Sequence, residues 1–380
     1  MEPPGRVSDS IVISIDAMGG DHGPAVAVPG IALALEAGAF KGLAGREVRF
    51  LLFGDETLIN LELAKAPAAR AASEVRHTDK TIASDEKAAQ ALRRGKGSSL
   101  WNAVEAVKTG EALAAVSAGN TGALMAISKL LLRMTGGLDR PAIVASWPTM
   151  RGVTAVLDVG ANIESDAAQL VEFAIMGEAF HCAVHGGKQP TVGILNVGSE
   201  EQKGHEEVRE ANRILREAGL NMDYKGFVEG DDIAKGTVDV VVTDGFSGNI
   251  ALKTAEGTAR FVRSVMREAF TSSLQAKIGA MIAAPALRKM RDRLDPSSVN
   301  GGPLLGLNGI VVKSHGGADA RGWANALRIA VNLAASDYAA QIDRNMKQLA
   351  QALPAQDSQD NAESGGSAKG SSSEPMETAQ

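Results

Sequence analysis

Short apolar and β-branched runs recur along the chain at Ile11–Ile15, Val48–Phe53, Ala112–Val116, Ala142–Ser146, Val153–Leu157, Thr191–Leu195, Val238–Thr243 and Ile310–Val312. Each predicts a buried strand. Helix-length stretches separate most of them, including Asp85–Gly110, Asp166–His185, His205–Ala218 and Asp319–Gln351. Strand and helix in alternation predict an α/β fold: three layers, with a mostly parallel sheet covered by helices on both faces. The centre of the pattern is AAVSAGNTGALMAISKLLL at residues 114–132. It combines a strand end, a polar turn from Ser117 to Gly122, and a helix apolar on nearly every side. The glycines let the backbone turn sharply, so the unpaired N–H groups of the helix's first turn point beyond the strand. That is a seat for an anion, with Ser117, Asn120 and Thr121 as side-chain donors. The same turn also serves plain close packing of helix on strand. It matches neither a Walker A loop nor a GxGxxG fingerprint.

The apolar period stops at Pro354, and Ser, Gly, Gln and acids fill the chain to Gln380. A disordered tail is expected there, and residues 1–9 are expected to be loose, leaving a single α/β domain over residues 10–353. With 380 residues and 44% hydrophobic content, that length can bury a sizeable core. The formal charge of −6 argues against nucleic-acid partners, which require a basic surface. Cys182 is the one cysteine, which excludes an intramolecular disulfide and a thiolate zinc cluster and fits a reducing cytoplasm. The opening MEPPGRVSDS lacks the charged-then-apolar order of a secretion signal, and no uninterrupted apolar run spans a bilayer.

In open α/β sheets ligands bind beyond the carboxyl ends of strands. Six predicted strand ends carry glycine together with polar residues, and they are expected to converge on one edge. The first turn holds Asp16, Gly19, Gly20, Asp21 and His22 and closes at Pro24, a residue suited to the start of a helix. His22 suits an oxyanion, and equally a helix cap. The second is the Ser117–Gly122 turn. In the third, Asp158 and Asn162 flank Gly160, a pattern that serves either a ligand or the backbone of a tight turn. Asn196-Val-Gly-Ser-Glu leads to a loop with Lys203 and His205. Asp244 and Asn249 bracket another glycine turn; Lys253, four residues on, shares a helix face with Asn249 or is simply solvated. The last turn runs from Lys313 through His315 to Gly317. Upstream, Arg93, Arg94, Lys96, Ser98 and Ser99 set three cations beside two hydroxyls, suiting an anion or a solvated face. His181 and His185 have zinc spacing, but Cys182 lies between them and no third acidic ligand is evident nearby; Cys182 reads as core packing.

One stretch breaks the alternation. Residues 257–294 carry eight basic residues against Glu268 and Asp292. Ile278, Met281, Ile282, Leu287 and Met290 form an apolar stripe flanked by Lys277, Arg288, Lys289 and Arg291. This pattern suits a helix lying in an anionic membrane interface, a dimer-forming helical hairpin, or a docking patch for an acidic carrier protein.

Taken together, DAMGGDHGP at 16–24, RRGKGSS at 93–99, VSAGNTGALMA at 116–126, DRPA at 139–142, DVGAN at 158–162 and VTDGFSGNIALKTAEG at 242–257 resemble the bacterial phosphate acyltransferases of phospholipid synthesis. The resemblance runs from about Ile11 to near Ala350, with a local departure at Gly317-Ala318, where that family often has Ser-Ser. It implies transfer of a long-chain fatty acyl group from acyl-acyl carrier protein to inorganic phosphate. The acyl phosphate would then pass to a membrane-embedded glycerol-phosphate acyltransferase. It further implies a fold similar to phosphotransacetylases and isocitrate or isopropylmalate dehydrogenases, and a homodimer whose protruding hairpin touches the membrane. The location expected is cytoplasmic, peripherally on the inner face of the cytoplasmic membrane. No cofactor or metal is expected.

Phosphate is itself a nucleophile and a thiolate leaves readily, so this reaction demands positioning more than a covalent enzyme nucleophile. Phosphate is expected at Ser117, Asn120, Thr121 and the helix N-terminus, with Arg94 and Lys96 adding charge. His22, Asn249, Lys253 and Lys203 are the catalytic candidates. Asp16, Gly19, Gly20, Asp21, Ser98, Asp158, Asn162, Asp244 and His315 complete the substrate site. The alternative is a soluble phosphotransacetylase acting on short acyl-CoA, which leaves the basic, apolar hairpin unexplained. A nicotinamide-dependent decarboxylating dehydrogenase would need a metal-binding aspartate cluster and hydroxyacid-reading arginines that are not found. A non-enzymatic membrane scaffold would leave the polar strand ends without a use.

Overall fold

The computed structural model describes residues 10–40, 43, 45–186, 189–293 and 296–352. The expected tail from Pro354 to Gln380, the loose residues 1–9 and the hairpin's last residue, Leu294, lie outside these. In chain order the elements begin with β1 (Ser10–Asp16), α1 (Pro24–Glu36), β2 (Glu47–Gly54), α2 (Glu56–Leu63), α3 (Pro67–Ala72), β3 (Ser73–His77), α4 (Ala88–Arg94), α5 (Ser99–Thr109), β4 (Ala114–Ser117), α6 (Thr121–Leu132), β5 (Ala142–Pro148) and β6 (Val153–Leu157). They continue with α7 (Ala167–His185), β7 (Thr191–Leu195), α8 (Glu206–Glu217), β8 (Asp223–Val228), α9 (Gly230–Lys235), β9 (Val240–Val242), α10 (Gly245–Thr271), α11 (Leu274–Ile282), α12 (Ala284–Arg293), β10 (Gly302–Leu305), β11 (Ile310–Lys313), α13 (Ala320–Ala335) and α14 (Tyr338–Ala352).

The strands form one sheet in the order β3-β2-β1-β4-β11-β10-β5-β6-β9-β7-β8. Seven of its ten pairings are parallel, so the α/β, mostly parallel architecture holds. Alternate residues on the central strands enter cores on opposite faces, as the two-residue period of a strand requires. Val116 and Val312 belong to the large core that contains α1, α7 and α13, whereas Ala115 and Val311 belong to the core under α5 and α6. Strands buried on both faces explain why the apolar runs were legible.

Three antiparallel pairings reverse the chain sense. β10 runs against both β11 and β5, and β5 runs against β6. The carboxyl ends of β1, β4 and β11 therefore lie at one edge, and those of β6, β7 and β9 at the other. The expected convergence of six turns on a single edge is corrected to two sets of three.

Two predicted helices divide. Asp85–Gly110 breaks after α4, where Gly97 takes φ 82°, open to glycine, and Ser98 caps α5 by accepting from the Trp101 N–H at 3.2 Å. Asp319–Gln351 breaks at Ser336, whose hydroxyl accepts from the Tyr338 N–H at 3.3 Å. The strands β3, β8 and β10 have no apolar run to announce them. The first two are edge strands with a polar exposed face, and β10 is Gly-Pro-Leu-Leu.

Among the described residues one helix, α7, is long and apolar enough to cross a membrane, and most of it is buried inside the protein. It is the core helix of the large cluster. At its end the His181 and His185 rings lie with centroids 5.2 Å apart, tilted by 49°, and His185 Nε2 lies 3.0 Å from Ser146 Oγ. Asp239 lines the same cavity of about 270 Å³ but its Oδ2 is taken by the Thr191 N–H and hydroxyl, and no group of three metal-ligating side chains forms among the described residues. Cys182 is half-buried, and burial raises its thiol pKa, in keeping with a packing role.

Burial, with the neighbouring His181 and Arg328 charges, lowers the His185 pKa to about 4. The folded state thus favours neutral His185. Its contribution to stability is full above the unfolded value of about 6.5 and is lost as pH falls toward 4. Between pH 7 and pH 5 the expected loss is about 2 kcal/mol. Urea unfolding at both pH values should show a smaller drop in His185→Asn than in the unaltered chain; equal drops would remove His185 as the cause.

Candidate functional site

At the first edge β1, β4 and β11 lie side by side, so their last residues Asp16, Ser117 and Lys313 are register partners across the sheet. Asp16 is buried, and its Oδ2 accepts from Ser117 Oγ at 2.7 Å. The Ser117 Oγ accepts in turn from the Gly119 N–H at 3.0 Å. The Asp16 Oδ1 is buried with no hydrogen-bond partner among the described residues. Burial pushes this carboxyl above its ordinary pKa, opposed by the Ser117 and Ser99 hydroxyls and the Met18 and Gly19 backbone.

Glycine is required where the turns interlock. A Cβ on Gly19 would lie 2.5 Å from Asp16 Oδ2 and 2.7 Å from the Gly119 nitrogen. At Gly20, φ 85°, it would lie 2.8 Å from the Gly316 oxygen and 2.9 Å from the Ala118 Cβ. The Asp21 N–H donates to the Gly316 oxygen at 2.9 Å, tying the β1 turn to the β11 turn.

Asn120 caps α6: its Oδ1 accepts from the Ala123 N–H at 3.0 Å. Its Nδ2 donates to the Ala83, Ser84 and Glu86 carbonyls at 3.3, 3.0 and 2.7 Å. No acceptor is found for the N–H groups of Thr121 and Gly122 among the described residues, so the first turn of α6 still offers donors to an anion.

Two of the expected phosphate contacts and one expected substrate contact are already engaged with the protein in this structure. The Ser117 hydroxyl is spent on Asp16, the Asn120 amide is spent on the cap and the 83–86 loop, and Ser98 is a buried cap of α5. Thr121, Asp21, His22 and His315 are exposed at this edge, and Arg94 and Lys96 are exposed on the neighbouring α4 and its following loop. Lys313, which opens the last polar turn, was assigned no role of its own by the site reading. The signal was present: a lysine closing an otherwise apolar, buried strand.

The second edge is built around Asp158, which is fully buried. Its Oδ1 accepts from the Ile143, Gly160 and Ala161 N–H groups at 3.0, 3.1 and 3.0 Å. Its Oδ2 accepts from the Asn162 N–H at 2.6 Å and Nδ2 at 3.1 Å. Burial raises the pKa while these donors favour the ionised form. Asn162 Nδ2 also donates to the Pro141 oxygen at 2.8 Å. Asp244 caps α10 through the Ser247 N–H and hydroxyl at 2.8 and 2.9 Å. Asp158, Asn162 and Asp244 form the frame of this edge, every charged or amide group among them being engaged with the protein.

Asn249 is exposed beside Gly160. Lys253 is exposed and pairs with Glu256 at 3.0 Å, and Lys203 is exposed and pairs with Glu200 at 2.8 Å. Among the described residues no hydrogen bond or ion pair links this set to the Asp16–Ser117–Lys313 set.

A family model described as Fatty acid synthesis protein matches residues 11–341. The phosphate acyltransferase of Caulobacter vibrioides is 71% identical over 343 residues, covering 90% of this chain and 93% of that one. The phosphate acyltransferase of Phenylobacterium zucineum is 59% identical, covering 91% and 97%. Among solved structures, a phosphotransacetylase from Streptococcus pyogenes superposes with TM-score 0.57 at 17% identity, covering 86% of this chain and 94% of that one. At that identity the last match speaks to the fold alone, and it agrees with the expected phosphotransacetylase-like architecture.

Proposed function

This chain belongs to the fatty acid synthesis protein family and is an acyltransferase that moves an acyl group to phosphate; from that premise we propose that its donor is long-chain acyl-acyl carrier protein. Inorganic phosphate sits at the turns that close β1, β4 and β11, and its oxygen attacks the thioester carbonyl. The carbon–sulfur bond breaks, the carrier-protein thiolate leaves, and acyl phosphate is the product. Phosphate needs no activation by a covalent enzyme nucleophile, so rigid turns and α6 donors suffice to orient it.

The observation that supports a long acyl chain and a membrane destination is the hairpin of α10, α11 and α12. α10 is 27 residues long, about 40 Å, and its buried residues are Gly245 and Gly248 in the first turns. No residue of α11 is buried. Phe261, Met281 and Ile282 are 68%, 72% and 78% exposed, amid exposed Arg260, Arg263, Arg267, Lys277, Arg288 and Lys289. Ile278 is exposed as well and Leu287 is half-buried; the side chains of Arg291 and Asp292 lie outside the described residues. Apolar tips ringed by cations suit an anionic membrane surface, and the long projecting helices suit a homodimer that delivers acyl phosphate to a membrane-embedded acyltransferase.

The decisive experiment is thiol release from a long-chain acyl-acyl carrier protein with and without phosphate, trapping the product with hydroxylamine. Phosphate-dependent release with a trapped acyl hydroxamate is expected. Turnover of short acyl-CoA with silence toward the carrier protein would replace this reading by a soluble phosphotransacetylase. Co-flotation with anionic vesicles should fall at least a hundredfold in affinity in Met281→Asp/Ile282→Asp, two buried apolar side chains being worth about 1.5–3 kcal/mol each; undiminished flotation would remove the hairpin from membrane contact.

A further inference from the structure

Once Ser117 and Asn120 are spent and Arg94 and Lys96 lie outside, the seat at the first edge has one inward cation among the described residues of its three turns. Lys313 Nζ donates to the Ala118 oxygen at 3.2 Å and to the Ser314 oxygen, two carbonyls that line the turns of β4 and β11. An ammonium has three protons, so one remains for a ligand. The sheet register holds the lysine's stem between Ser117 of β4 and Gly302 of β10. Asp16 and Asp21 are the charged groups that act on it, and α6 and α13, which also pack on β11, add none.

The buried Asp16 Oδ1 is an independent mark of a missing ligand group. A carboxylate oxygen left without a donor in a buried turn is costly unless a proton-bearing group of a ligand, such as the hydroxyl of a hydrogen phosphate, completes it. Two carboxylates would also repel an incoming phosphate dianion, so a fixed positive charge is needed beside them.

We propose that Lys313 is the residue that binds the phosphate nucleophile. Its ammonium holds a phosphate oxygen against the turns, leaving a second oxygen free to attack the thioester carbonyl. The phosphate oxygen–carbon bond forms as the carbon–sulfur bond breaks; Lys313 stays protonated throughout and exchanges no proton. This rests on placing phosphate at the β1, β4 and β11 edge. Burial lowers the amine's pKa to about 8, against the pull of Asp16 and Asp21, so the charge is present at neutral pH and fades above it.

The test measures the KM for inorganic phosphate between pH 6.5 and 9.5 in the full chain, with whichever acyl thioester it turns over. In the unaltered enzyme that KM should rise roughly tenfold from pH 8 to pH 9.5 as the ammonium is lost, with the KM for the thioester steady. Lys313→Met should raise the phosphate KM at least tenfold at pH 7 and abolish the pH dependence. Lys313→Arg keeps the charge at every pH tested, so its phosphate KM should stay flat. A merely structural lysine predicts no such difference in pH profile. If the Met variant does not fold, the Arg profile decides alone: an unchanged rise above pH 8 overturns the proposal. An unchanged phosphate KM in Lys313→Met, with loss in Gly19→Ala, overturns the role of Lys313 and leaves the phosphate edge standing; no effect from either overturns both.

Discussion

Replacing Asp158 by alanine is expected to destabilise the protein by about 3–5 kcal/mol, the range for breaking a buried, hydrogen-bonded charge. The carboxylate accepts from four backbone N–H groups and the Asn162 amide within a site of 0% exposure. Removing it strands those donors away from water. The loss spreads, because the first turn of α10 rests on the same turn: the Gly245 N–H donates to the Asn162 oxygen at 2.8 Å. A Cβ at Gly248 would meet the Asp158 carbonyl oxygen at 1.9 Å, so that helix has no slack to follow a collapsing turn. Asp158→Asn should be nearly as damaging, since its amide would present hydrogens to donors. Urea unfolding measures the change; a loss under about 1 kcal/mol would mean that the turn holds without its carboxylate.

Gly19→Ala is expected to lower kcat/KM by about a hundredfold while leaving the fold intact, the size of effect that a 1 Å displacement of catalytic geometry produces. The added methyl would overlap the buried Asp16 carboxylate and the Gly119 nitrogen, neither of which can retreat. Relief comes only by moving the β1 turn away from the β4 turn, which opens the phosphate seat. The control is Gly257→Ala, where a Cβ meets nothing within 4 Å and lies inside α10. That change should raise stability by up to about 1 kcal/mol and leave turnover unchanged. Phosphate-dependent turnover and circular dichroism, run on both variants, separate a lost site from a lost fold. Full activity in Gly19→Ala would show that the two turns need not touch.

The strands most easily read from the sequence were those buried on both faces, since they must be apolar throughout. β6 and β7 emerged with the predicted bounds Val153–Leu157 and Thr191–Leu195. Edge strands β3 and β8 stayed hidden because a half-solvated strand mixes charges with apolar residues. Capping residues were visible as chemistry but not as roles. Asn120, Ser98 and Asp244 have the same side chains whether they hold a ligand or a helix end, and the deciding hydrogen bonds are to backbone brought in by the fold. Asp158 is the same case with the balance settled by Ile143, fifteen residues earlier on a different strand.

By itself the sequence determined the α/β class, the positions of the glycine turns, the family, and the apolar, basic hairpin, because each rests on local pattern or side-chain type; which of those glycines cannot be replaced was decided by the contacts between turns. Only the tertiary structure decided which turns share an edge. Sequence order carries no sign of strand direction or neighbour: the parallel β1-β4-β11 pairings place Asp16, Ser117 and Lys313 together, while the three antiparallel pairings around β10 and β5 send Asp158 and Asp244 to the opposite edge. It also decided that Lys313, one of many lysines by type, stands half-buried between two carbonyls and two acids.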